Sequence, residues 1–271
     1  SGREAASYPP TEPSSSPLPF FAGSGTMPAM AKVETIAGLR TFLAGGTDRN
    51  GGGDGPLVCL LHGYGANGED LAGLWRVLDV PDGTRFAFPE APISLAAMFG
   101  MPSYAWWHID VERFMRAAQT GIGMDALFDE EPEGLPAARE KLQGWLDALG
   151  KQLGAPRQRT VLGGFSQGAM LSTDVALHLQ GEDEGLAGLA LLSGALINRR
   201  GWQPLLASAV SAPRFQSHGT RDDILPFAAA EALDQFLAPR FPGTLRRFNG
   251  RHEIPTDVID DLGAFLSRVL G

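Results

Sequence analysis

Apolar positions along this chain change period several times, and each change marks an element. Residues 56–61 (PLVCLL) form a short unbroken apolar run, as expected of a strand buried on both faces. Residues 85–88, 160–165, 186–192, 214–217 and 244–248 read as further strands. Between them the spacing turns helical. Residues 67–78 place Leu71, Leu74 and Leu78 on one side, and residues 135–153 place Leu142, Trp145, Leu146 and Leu149 on one stripe. Residues 167–179, 228–237 and 257–269 are the remaining predicted helices, and residues 47–55 read as a turn between strands. This alternation of strand and helix predicts a mostly parallel sheet with helices on both faces. No internal repeat interrupts it.

Two stretches fall outside the pattern. Residues 1–30 are crowded with Ser, Pro and Gly, and their one apolar run is short. Such a segment buries too little surface to offset its ordering entropy. It is expected to be an extension without fixed structure, native or left from a tag, ahead of a single domain over residues 31–271. Residues 93–127 are rich in aromatic and methionine side chains without a clean period. They form either a long loop packed as a satellite core or one wall of a binding cleft. On the second reading Met98, Tyr104, Trp106 and Trp107 are candidates to touch a substrate.

Composition narrows the class. Hydrophobic residues make up 44% of the 271 and charged residues 20%, enough for a sizeable core. The balance of 31 Asp+Glu against 22 Lys+Arg gives a formal charge of −9. An acidic chain is a poor match for nucleic acid or an anionic membrane surface. No apolar run reaches the ~18 residues of a membrane span. The single cysteine, Cys59, excludes an internal disulfide and a cysteine-cluster metal site. The expectation is a cytoplasmic protein acting on a small molecule without metal or organic cofactor, with room for a homodimer.

The candidate chemistry centres on Gly164-Phe165-Ser166-Gln167-Gly168, a G-x-S-x-G pentapeptide between a predicted strand and a predicted helix. A sharp strand-to-helix turn there would lift the Ser166 hydroxyl clear of the sheet, and small residues on either side would let backbones approach. A serine needs a base to become nucleophilic, and the base needs an acid to orient it. His252 lies in the turn between the last strand and the last helix. His218 ends a strand and reads as a structural residue holding the acid loop. The acid is Asp222 or Asp223, both just after the 214–217 strand; a carboxylate there could also cap the helix starting near Phe227. Residues 61–68 (LHGYGANG) follow a strand and would bring backbone N–H groups beside the serine, as an oxyanion hole requires. Their glycines meet a dinucleotide spacing only in part and lack the Lys-Ser/Thr pair of a phosphate loop.

Seven segments occur together in order: LHGYGANGEDL (61–71), FPEAP (88–92), SYAWWHI (103–109), GFSQGAML (164–171), SGALI (193–197), HGTRDDILPF (218–227) and RHEIP (251–255). In these the sequence resembles the bacterial phospholipase/carboxylesterase family of α/β-hydrolases, related to acyl-protein thioesterases and lysophospholipases. The resemblance runs from about residue 33 to the end. It implies the α/β-hydrolase fold, a mostly parallel twisted sheet without a large separate lid. It also implies Ser166 as nucleophile, Asp222 as acid and His252 as base. The backbone N–H groups of Tyr64 and Gln167 would form the oxyanion hole, and Trp106 would line the acyl or alcohol pocket. Arg251 stands where members usually have glycine, and Trp107-His108 where a smaller or acidic residue is usual. The expected activity is a serine carboxylesterase on short- to medium-chain esters, working through an acyl-enzyme. Alternatives are an acyl-thioesterase or lysophospholipase of the same family, or a non-catalytic ligand binder on a hydrolase scaffold.

Overall fold

A computed structural model describes residues 32–271 other than 122 and 182–184, so the expectation for residues 1–30 lies outside the described residues. The described chain opens on a hairpin that periodicity did not foresee, β1 (Lys32–Ile36) and β2 (Leu39–Gly46). Its turn places Ala37 and Gly38 at φ 46° and 77°, the sign that two-residue hairpin turns favour. β3 (Asn50–Gly52) lies within the predicted turn and pairs with β2. β4 (Leu57–Leu61) and β5 (Arg85–Pro89) follow, both buried at every position. Residues 67–78 form a short 3-10 turn, Ala72–Arg76, in place of the predicted helix. Asn67 Oδ1 accepts the Glu69 N–H there, a local bond that competes with helix, and Gly68 and Gly73 weaken helix further.

The aperiodic stretch resolves into small elements. A hairpin of β6 (Ile93–Ser94) and β7 (Tyr104–Ala105) encloses α1 (Ala96–Phe99), and α2 (Val111–Thr120) and α3 (Met124–Asp129) follow. Then comes α4 (Leu135–Leu153), whose buried stripe includes the predicted Leu142, Trp145, Leu146 and Leu149. Trp145 Nε1 donates to Thr41 Oγ1 at 2.9 Å and ties the helix to β2. The alternation continues with β8 (Thr160–Phe165), α5 (Gln167–His178), β9 (Gly188–Leu192), α6 (Arg199–Leu206), β10 (Arg214–Gly219), α7 (Phe227–Leu237), β11 (Gly243–Phe248) and α8 (Thr256–Leu270). The short α6 was not foreseen: Trp202 and Leu206 are its buried residues, but the segment is only eight residues long and holds Gly201 and Pro204, both poor helix formers.

The main strand order is β1-β2-β5-β4-β8-β9-β10-β11. Pairs from β5 to β11 are parallel, and β1 and β2 are antiparallel additions at one edge. Alternate residues of the central strands enter two cores. Leu57, Cys59 and Leu61 pack under α4, α5, α6 and α7; Val58 and Leu60 pack on the α8 side. Burial pushes the Cys59 thiol up, which keeps it a neutral core group. β4 lies between β5, next in sequence, and β8, reached by the long excursion. The strand order reverses at this point, and crevices outside the carboxyl ends of strands form at such reversals.

Candidate active site

Parallel register carries the candidate residues to one edge. Leu61 pairs with Gly164 across β4 and β8, Phe165 with Leu192 across β8 and β9, and Gly219 with Phe248 across β10 and β11. The loops bearing Tyr64, Ser166, Asp222 and His252 therefore leave the sheet at neighbouring carboxyl ends. Ser166 itself adopts φ 55°, ψ −115°, a conformation costing a non-glycine residue about 1–3 kcal/mol. Its N–H is held by Leu192 O at 2.8 Å, and α5 starts at the next residue. A Cβ on Gly164 would lie 2.5 Å from Leu61 O, and one on Gly168 would lie 2.6 Å from the Leu61 carbonyl carbon. Glycine is what lets the elbow sit on β4.

The Leu61–Gly68 turn packs directly on the elbow: a Cβ on Gly63 would meet Ser166 Cβ at 3.3 Å. Gly65 N–H donates to Tyr104 O (2.9 Å), Tyr104 N–H donates to Ala66 O (2.8 Å), and Ala66 N–H bonds Gly63 O (3.3 Å). The Tyr64 N–H is left with no acceptor in this turn among the described residues. The Gln167 N–H is the first donor of α5 and has no place in the helical ladder. His62 supports the turn from below. Its buried Nε2 accepts the Ala91 N–H (3.0 Å), so its proton sits on Nδ1, 2.8 Å from Gly63 O. Burial pushes this imidazole down to about 4 and keeps it neutral.

Asp222 and His252 meet next to Phe165, the residue before Ser166. His252 Nδ1 donates to Asp222 Oδ2 at 2.6 Å, and its ring packs on that of Phe165, centroids 4.7 Å apart. With the proton on Nδ1, the lone pair of the ring sits on Nε2. Asp222 Oδ1 accepts the Ile224 and Leu225 N–H groups (2.9 and 2.8 Å), which fixes the carboxylate. Burial raises this carboxyl, but hydrogen bonds from His218 and His252 outweigh it and hold the group below the usual carboxylate range. A Cβ on Gly219 would lie 2.5 Å from Gly250 O, so glycine lets the two loops close on each other. An ionised acid, an oriented imidazole and an elbow serine beside unengaged N–H groups are the parts that acyl transfer needs.

The family model described as Phospholipase/Carboxylesterase matches residues 52–270. The chain belongs to that family. Acyl-protein thioesterase 1 of Emericella nidulans is 29% identical over 229 residues, 79% of this chain and 90% of that protein. The same-named protein of Eremothecium gossypii is 28% identical over 215 residues, 76% of this chain and 85% of its own length. The crystal structure of esterase PE8 matches at TM-score 0.70 and 30% identity, covering 86% of this chain and 99% of that one. The Bacillus cereus carboxylesterase, at TM-score 0.62 and 22% identity over 85% and 94% of the two chains, shares the fold. The fold is that of the α/β-hydrolases, and the family makes this chain a serine hydrolase of ester bonds.

Several side chains lie elsewhere than expected. Trp106 is 1% exposed and is a core residue, not a pocket wall. Its Nε1 donates to His62 O at 3.1 Å, so it braces the Leu61–Gly68 turn. Met98 is 66% exposed, and Tyr104 engages the turn through its backbone. Of the four expected contact residues only Trp107 lines a cavity of about 410 Å³, with Ile109, Leu127, Met170 and Ile197 among its apolar neighbours. Ser166, Tyr64, Gln167, Asp222 and His252 are not among the cavity's lining residues; Met170, one turn along α5 from Ser166, and Ile109, whose backbone meets the Tyr64 phenol, link it to the elbow. Asp223 does not cap α7; it pairs with Arg251 at 3.3 Å on the surface. The Gln167 side chain escaped sequence reasoning altogether. It accepts the Trp106 N–H and donates to Trp107 O, both at 2.9 Å, clamping the cavity wall to the elbow.

Proposed function

We propose that the protein is a serine carboxylesterase that hydrolyses uncharged short- to medium-chain esters through an acyl-enzyme. The observation that carries this reading is the 2.6 Å bond from His252 Nδ1 to Asp222 Oδ2 beside the strained Ser166 elbow. In the proposed cycle His252 Nε2 takes the Ser166 proton as the hydroxyl attacks the acyl carbon. The Tyr64 and Gln167 N–H groups hold the oxyanion, and His252 returns the proton to the leaving alcohol. Water repeats the sequence to release the acid.

The cavity beside Met170 suits the acyl chain. Its volume is at the small end of ligand pockets, roughly 300–1,000 Å³, which favours short and medium chains. Asp110, Glu130, Glu131 and Glu133 border it, with Arg113, paired to Glu130, the one Lys or Arg among the described lining residues, a setting that disfavours anionic substrates. The names of the thioesterase relatives support a second reading, an acyl thioester in place of the oxyester, with the same residues in the same roles.

A fluorophosphonate probe tests the chemistry. It is expected to label the protein covalently and to leave Ser166→Ala unlabelled and inactive, since a triad loses most of its power with any member. A Ser166→Ala variant hydrolysing nitrophenyl esters within tenfold of the parent rate would overturn the proposal. Paired oxyester and thioester substrates of one chain length separate the two readings.

A further inference from the structure

We propose that His218 is a positioning residue that tempers the basicity of His252 by sharing its carboxylate oxygen; this rests on the reading of His252 as the base. Asp222 Oδ2 is approached by two imidazoles, His252 Nδ1 at 2.6 Å and His218 Nε2 at 3.1 Å. His218 Nε2 also lies 2.8 Å from Leu225 O. A carbonyl oxygen only accepts, so Nε2 carries the proton: it donates to Leu225 O and brings its positive end within 3.1 Å of Asp222 Oδ2.

The other ring nitrogen secures that arrangement. His218 is fully buried on β10, and its Nδ1 has no hydrogen-bond partner among the described residues. Moving the proton to Nδ1, or adding a second one there, would bury a donor with nothing to accept it. His218 is thus held as a donor of fixed direction. A donor on Oδ2 draws on the same charge that would otherwise stabilise a protonated His252. Without it the carboxylate would hold the imidazolium more tightly, and His252 would be blocked as a base over a wider pH range.

The remaining charged groups nearby are otherwise engaged. Arg221 Nη2 donates to Asn249 O, Arg251 pairs with Asp223, and Glu253 accepts the Arg251 N–H. Arg247, paired with Glu231, lies over the Phe227 ring, whose edge meets His218. None of these is a hydrogen-bond partner of Asp222 among the described residues.

The test is an NMR titration of ¹⁵N-histidine-labelled protein, with the His252 signals assigned through His252→Gln. In His218→Leu the protonation midpoint of His252 is expected to rise by about 0.5–1 pH unit, roughly three- to tenfold in proton affinity. The acid limb of the kcat/KM profile should move with it. In His218→Gln, whose amide N–H can reach Oδ2, both should stay near the parent. Should His218→Leu not fold, His218→Asn replaces it, because its shorter amide stops short of Oδ2. A midpoint unmoved in the Leu or Asn variant, equal shifts in Leu and Gln, or failure of both Leu and Asn to fold overturns the proposal. The titration needs no turnover. A moved midpoint in a protein whose Ser166 resists the fluorophosphonate would uphold the coupling while the esterase reading fails.

Discussion

Replacing Asp222 by asparagine isolates one oxygen. The asparagine Oδ1 can still accept the Ile224 and Leu225 N–H groups, so the loop keeps its local turn. Its amide nitrogen, however, replaces Oδ2 and faces the His252 Nδ1–H donor, with His218 Nε2 3.1 Å from the same position. His252 can restore a bond by moving its proton to Nε2, but that consumes the lone pair needed to activate Ser166. The expected loss in kcat is on the order of 10⁴, the cost of the wrong tautomer in a serine-protease triad. His218 keeps Leu225 O and loses the charged acceptor, so stability near neutral pH should fall by about 1–3 kcal/mol.

The pH dependence has a definite sign. The folded Asp222 carboxyl sits below its unfolded value, so its contribution is complete above the unfolded pKa of about 4 and is lost as pH falls from there toward the folded value. Urea unfolding of parent and variant should therefore differ most above about pH 5 and converge in acid. Asp223→Asn is the control: it breaks a surface pair with Arg251, worth about 0–1 kcal/mol, and should slow the enzyme less than tenfold. Nitrophenyl-ester turnover at pH 8 decides. An Asp222→Asn enzyme within tenfold of the parent, or an Asp223→Asn enzyme slower than Asp222→Asn, would refute the reasoning.

Gly168→Ala should fail to accumulate as folded protein, because the new Cβ would be driven into the Leu61 carbonyl with no flexible side chain to yield; a soluble variant with parental melting temperature would show that the elbow does not rest on β4. Ile197→Phe narrows the cavity beside Met170. If it denies burial to two acyl methylenes at about 0.8 kcal/mol each, kcat/KM for octanoyl esters should drop roughly tenfold while acetyl esters change little; equal losses on both would mean that the chain binds elsewhere.

The elbow was legible in the sequence because everything that makes it is local. An apolar run, two glycines around a serine and an Ala- and Leu-rich helix lie within a few residues of one another, so local sequence reports them directly. The gathering of the loops that bear Ser166, Asp222 and His252 was legible too, since parallel strands joined by helices deliver successive loops to one edge of the sheet. The hairpin β1–β2 was not: β1 lies at the sheet edge with most of its residues exposed, and its pattern gave no contrast to read. Asp222 and Asp223 are equivalent as neighbours in a loop, and the residues alone left the choice open. Tertiary structure separates them, because the Ile224 and Leu225 N–H groups turn Asp222 inward while Arg251 draws Asp223 to the surface. Trp106 makes the same point in reverse. An aromatic residue in an aperiodic stretch fits a pocket wall or a core equally well by sequence, and the acceptor for its indole N–H, His62 O, lies 44 residues away. The pairing of two histidines on one carboxylate depends on the register of β10 and β11 and on the Gly219 contact. Periodicity along one chain carries no information about which oxygen two distant loops will share.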